Sequence, residues 1–154
     1  MAVIAAIRPD SWNWALFLHI AGAMALVSSL ILALYAIRIA RTRGDQPAAQ
    51  FAFRVLWRFT VPSYLVMRIF AQVIADKEKL SDSDDAWIGI GYATTEPGLV
   101  LLIIAIVLTG LMARRAKAGT SVAGAGQLLA ARILTGILLI AYIVTIWAMT
   151  TKPV

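Results

Sequence analysis

One histidine, His19, an arginine inside an apolar run, Arg68, and two tyrosines, Tyr64 and Tyr142, are the side chains here best placed to do chemistry where water is scarce. Imidazole can donate, accept or ligate a metal, and it titrates near neutrality. Guanidinium offers a planar fork of donors suited to a carboxylate or phosphate. His19 lies seven residues in from Trp12, Arg68 seven from Ala75, and Tyr142 eight from Thr150. At 1.5 Å per helical residue each falls roughly 10 Å from the same edge, so three helices bring polar groups to one layer. Arg54, Arg58, Val61, Leu65, Arg68 and Gln72 recur at spacings of 4, 3, 4, 3 and 4. That spacing predicts one helical face, with Tyr64 beside it. Glu96 and the acidic stretch before it are the expected anionic partners of Arg68.

Each residue also has a structural reading. Arg68 could snorkel or form an ion pair that fixes packing, and His19 could bond across helices; the alternative is a ligand, a proton relay or a contact to an anionic cofactor. The run Asp82-Ser83-Asp84-Asp85 lacks the glycine and terminal glutamate of an EF-hand loop, so no metal site is expected there. With no cysteine, disulfides and thiolate metal sites are excluded. Ser28, Ser29 and Ser63 have no base and carboxylate set at hand, which argues against hydrolysis.

The elements that must position these groups are apolar runs. The 154 residues are 61% hydrophobic and 14% charged, with mean hydropathy +0.83. Four runs, 14–37, 55–75, 97–113 and 133–149, approach the ~20 residues that a helix needs to cross a bilayer core. Leu99 to Leu108 has no polar stripe, which excludes a water-soluble bundle. The expected fold is an all-α, four-transmembrane-helix bundle in one domain, with helices over about 11–40, 48–75, 95–115 and 127–150 and a kink in helix 2 at Pro62. The first run is too long for the apolar core of a cleaved signal peptide, so helix 1 is expected to be retained.

Nine Lys/Arg (Arg38, Arg41, Arg43, Arg54, Arg58, Arg114, Arg115, Lys117 and Arg132) fall on one side of these runs and four (Arg8, Lys77, Lys79 and Lys152) on the other. Basic residues accumulate in cytoplasmic loops, so both termini and the 76–95 loop are expected outside. That loop begins a segment, Ala75 to Gly98, with six of the eight acidic residues. Its part Trp87 to Tyr92, WIGIGY, is apolar enough to lie back on the membrane surface, with Glu96-Pro97 opening helix 3. The small residues of helix 1 (Ala15, Ala21, Gly22, Ala23, Ala25 and Ser29) suit a central, closely packed helix. The net charge of +6 is assigned to insertion and anionic lipid headgroups, not to nucleic acid.

Helix 1, WALFLHIAGAMALVSSLILALYAIR, and the stretch from ADKEKLSD through WIGIGY to TEPGLVL resemble a bacterial family of four-helix integral membrane proteins with no assigned activity. That family is distantly similar to the copper-resistance D proteins and the membrane protoporphyrinogen oxidase, which use a helix 1 histidine in a haem-binding bundle. The resemblance implies a haem role for His19 alone. Without a second histidine, a His–Met pair or a dimer interface would have to complete an axial ligand set. Three functions are therefore expected, in this order. The first is a non-catalytic accessory or assembly subunit of a larger complex, such as a bioenergetic one, in the bacterial inner membrane, partnered by lipid and by other subunits or itself. The second is a haem- or other cofactor-binding redox protein using His19 and Arg68, with Tyr64, Tyr142 and Glu96 around them. The third is a small anion transporter using Arg68.

Overall fold

The computed structural model describes residues 13–78 and 86–151. Trp12, the start signals before it and the aspartates at 82, 84 and 85 lie outside the described residues. The elements are α1 (Asn13–Arg43), α2 (Gln46–Val55), a π turn (Leu56–Thr60), α3 (Val61–Glu78), α4 (Ala86–Lys117) and α5 (Gly126–Thr151). There are no strands among the described residues. The π turn joins α2 and α3 without a break, so four rods result. They close a ring in chain order: α1 packs on the α2–α3 rod, α2 on α4, α4 on α5, and α5 on α1. Three helices, Asn13–Arg43, Gly89–Lys117 and Gly126–Thr151, are long and apolar enough to cross a membrane. The outside of the bundle is greasy too: Val100, Ile103, Val107, Ile133, Ile137, Ile140 and Trp147 are all exposed.

The turns at the basic end are chemically specified. Gly44 has φ 67°, open to a residue without Cβ. Asp45 caps α2 by accepting from the Ala48 amide at 2.9 Å, and Pro47 occupies the first turn, where a missing N–H costs nothing. The α4–α5 turn opens with Gly119 at φ 74°. The Thr120 amide reaches back to the Arg115 carbonyl at 3.0 Å and the Gly119 amide to the Ala116 carbonyl at 3.1 Å, a Schellman motif. The two turns dock through the Gly124 amide, which donates to the Arg41 carbonyl at 3.0 Å.

The core changes in texture along the bundle. At the basic end it is built on Ala36, Ala40, Ala49, Ala52, Ala116 and Ala131, which let the backbones approach closely. Further along, Leu26, Leu30, Leu56, Leu102, Leu138 and Tyr142 fill a wider interior. Buried positions on α4 (Gly91, Thr95, Gly98, Leu102, Ala105, Thr109, Met112 and Ala116) recur at alternating spacings of four and three, the seam of left-handed packing.

Two sequence expectations change. Helix α4 starts at Ala86, not near 95, so Gly89 to Glu96 are helical turns and not a surface segment. Pro97 lies inside the helix, where it withholds the donor that the Ala93 carbonyl would use. Neighbouring groups hold the turn. Thr94 and Thr95 donate to the Ile90 and Gly91 carbonyls at 2.8 and 2.9 Å, and Tyr64 donates across from α3 to the Thr95 carbonyl at 3.1 Å. The irregularity expected at Pro62 takes the form of the π turn just before it, closed by the Val61 amide on the Leu56 carbonyl. One extra residue in a turn of 3.6 rotates the following helix by about 100°. The face expected to run from Arg54 to Gln72 is therefore split: Arg54 and Arg58 belong to a groove against α4, and Arg68 to a separate cleft.

Candidate functional site

Past the π turn, α3 stays on α1 instead of following α2 onto α4. The divergence opens a cleft of about 450 Å³ between α1, α3, α4 and α5 in the half of the bundle away from the basic turns. Its wall is mostly apolar, and the polar side chains that break it are His19, Arg68, Tyr92, Thr95, Tyr142, Thr145 and Thr150. His19, Arg68 and Tyr142 thus share one cavity, as their common depth predicts.

His19 is oriented by backbone. Its Nδ1 lies 2.9 Å from the Met67 carbonyl oxygen, which can only accept, so Nδ1 carries the proton and the neutral ring keeps its lone pair on Nε2. The approach of α1 to α3 depends on Gly22, one turn from His19. A Cβ built there would stand 2.7 Å from the Met67 nitrogen, closer than packed atoms allow. Trp14 meets Phe70 edge-on, with ring centroids 5.3 Å apart, and fastens the same pair of helices one turn further out.

Arg68 is half-buried and does not pair with Glu96. Its guanidinium lies 5.2 Å from the centre of the Tyr92 ring, in cation–π contact, and donates to Gln72 at 3.2 Å. Gln72 in turn donates to Asp76 at 2.8 Å, so the acidic segment reaches the arginine through an amide relay on α3. Among the described residues no carboxylate touches the guanidinium, which leaves donors to take an anion.

Tyr142 is 3% exposed, yet its hydroxyl has no hydrogen-bond partner among the described residues. Among the described residues only the Arg41 Nε shares that condition. The contrast with the buried hydroxyls of Thr109, Thr135 and Thr145 is informative, because each of those bonds a carbonyl one turn back in its own helix. Gly98 makes room for the phenol: a Cβ there would lie 2.9 Å from its oxygen. A buried hydroxyl left alone costs about 1–3 kcal/mol in proteins, so this one sits at a cost that a bound acceptor or donor would remove.

The other two expected site residues lie elsewhere. Tyr64 is buried in the core and spends its hydroxyl on Thr95, tying α3 to α4. Glu96 is exposed on α4 and does not line the cleft, because it lies one residue, about 100° of helix, beyond the buried seam position Thr95. Tyr92 and Thr95 take its place in the wall, together with Met24, Met67 and Met149. The spacing of Gly91, Thr95 and Gly98 is the sequence signal that could have found this face.

No protein-family model matches the chain, and no curated protein or solved structure does either.

Proposed function

We propose that this chain is a non-catalytic, four-span membrane protein that holds an amphipathic, anionic cofactor of the haem type in the cleft between α1, α3, α4 and α5, as a small subunit of a larger membrane assembly. One observation carries the reading. Among the described residues, one apolar cleft contains a histidine with its Nδ1 already bonded, an arginine with no carboxylate against it, and a buried hydroxyl with no partner. Small-molecule sites combine a mostly apolar wall with a few convergent polar groups, in cavities of about 300–1,000 Å³. The residues fit the group. His19 would supply Nε2 to the metal of the group, with the bond from Nδ1 to the Met67 carbonyl holding the ring in place. Arg68 would pair a carboxylate of the group, and the thioethers of Met24, Met67 and Met149, which line the same cleft, would be available to its metal. A bound haem would supply one-electron chemistry.

The α2–α3 rod is the fourth span in this reading. The nine-to-four bias of Lys/Arg supports the basic turns facing the cytoplasm and both termini facing outward across the bacterial inner membrane. The exposed apolar flanks of α4 and α5 suit contact with lipid or with other subunits. Among the described residues the cleft wall contains no Asp or Glu, the groups on which proton-coupled cation export depends. Gentle purification from native membranes, followed by an absorption spectrum and mass spectrometry of what co-purifies, tests cofactor and partner together. A Soret band and stoichiometric companion subunits are expected; a colourless protein that runs alone would overturn the proposal.

A further inference from the structure

A second cavity lies at the opposite, basic end. It is a groove of about 670 Å³ between α2 with its π turn and α4. Phe53, Trp57, Val107 and Leu111 make its apolar part, and Arg54, Arg58, Arg114 and Lys117 surround it. These four cations have no ion pair or side-chain hydrogen bond among the described residues. Asp45, the one described acid on that side of the apolar runs, is committed to the α2 cap. Arg54, Trp57 and Arg58 share one face of their helix by spacing, as do Val107, Gly110, Leu111 and Arg114 of theirs. Gly110 seats the Phe53 ring, which would stand 3.1 Å from a Cβ there, so α2 and α4 meet at that contact. Trp57 is 56% exposed beside the arginines, the amphipathic ring expected at headgroup level.

We infer that this groove is a binding site for an anionic phospholipid, with an acyl chain against Phe53, Val107 and Leu111 and the headgroup phosphate among Arg54, Arg58, Arg114 and Lys117. The inference rests on the bundle spanning a bilayer with this end at the headgroup layer, and not on any occupant of the other cleft. Charge complementarity names the ligand: four unneutralised cations at the mouth of an apolar groove match a phosphate that carries hydrocarbon. Basic pockets between transmembrane helices on the cytoplasmic side bind lipids of this kind. Four positive charges exceed what one phosphate neutralises, so a lipid with two phosphates is preferred over a lipid with one.

Native mass spectrometry of the full-length protein in detergent tests this, with a two-phosphate lipid (cardiolipin), phosphatidylglycerol and phosphatidylcholine added in turn and glycerol 3-phosphate as a competitor. Wild type should retain one cardiolipin at least ~10-fold more tightly than phosphatidylcholine, with phosphatidylglycerol between them. Arg54→Gln with Arg114→Gln should remove that preference, and Leu111→Trp, which fills the groove and keeps every cation, should also weaken retention. Arg114→Gln alone serves if the double variant does not fold. Arg43→Gln, an exposed cation at the same end but outside the groove, should leave retention unchanged. Equal retention of the three lipids, no effect of the groove variants, or a loss as large in Arg43→Gln would overturn the inference. So would displacement by glycerol 3-phosphate at concentrations comparable to the lipid, because the ligand would then be a soluble anion.

Discussion

At the scale of single residues, the cleft is defined by atoms whose bonding is incomplete. Tyr142 gives the sharpest case. Its hydroxyl is buried and alone, so Tyr142→Phe should leave the ligand-free protein as stable or raise its stability by about 1 kcal/mol, the typical cost of a stranded polar group. The same change should weaken a ligand that bonds the hydroxyl, by roughly 5–10-fold for one neutral hydrogen bond of about 1 kcal/mol. Thermal unfolding in detergent, with and without the co-purified ligand, measures both. A fall in ligand-free stability beyond about 1 kcal/mol would mean that the hydroxyl is already satisfied. Much of this layer was legible from depth alone: counting residues in from Trp12, Ala75 and Thr150 brought His19, Arg68 and Tyr142 to one level. What counting could not reveal was rotation. Glu96 stands at a suitable depth but on the exposed side of α4, and which way a side chain points depends on how its helix is turned against its neighbours.

At the scale of elements, the π turn decides where the chemistry falls. Spacing alone makes Arg54, Arg58 and Arg68 neighbours on one stripe, because a kink at Pro62 bends a helix without changing its count of residues per turn. The extra residue in Leu56–Thr60 breaks the stripe and divides the arginines between two cavities. Deleting Phe59, which is 62% exposed, should remove the extra residue and the π turn together. The two changes cancel in phase, so a regular helix should form with Arg68 still in the cleft. Circular dichroism should show nearly unchanged helix content, and bound ligand should be retained. Loss of ligand with the helix content kept would show that α3 is not phased by the π turn. The mistaken start of α4 has the same kind of cause. Glu96-Pro97 has the form of a helix start, and only the seam of Gly91, Thr95 and Gly98 with the residues after them shows that the helix is already under way. Pro97 is tolerated because Thr94, Thr95 and Tyr64 supply local and cross-helix bonds that spacing rules do not register.

At the scale of the whole molecule, composition carried most of the fold. Helices apolar on every side, a charge bias between the two ends and glycine turns at positive φ together specify an all-helical bundle with neighbours in chain order. The bundle closes tightly on alanines at the basic end and opens a ligand-sized cleft at the other. The absence of cysteine makes orientation simple to test. With the basic turns in the cytoplasm, a membrane-impermeant thiol reagent added to intact cells should label Thr150→Cys and leave Lys117→Cys unlabelled until the membrane is broken. The reverse pattern would invert the topology and move the cleft to the other leaflet.

The central claim is that His19 presents Nε2 to a cofactor in this cleft. The most direct test is the visible absorption spectrum of the full-length protein, purified in mild detergent from haem-replete cells, for wild type and His19→Ala. The wild type should show a Soret band that His19→Ala loses by at least ~10-fold, with both proteins folded by circular dichroism. A wild type without absorbance, or a band of equal strength in the variant, would contradict the account.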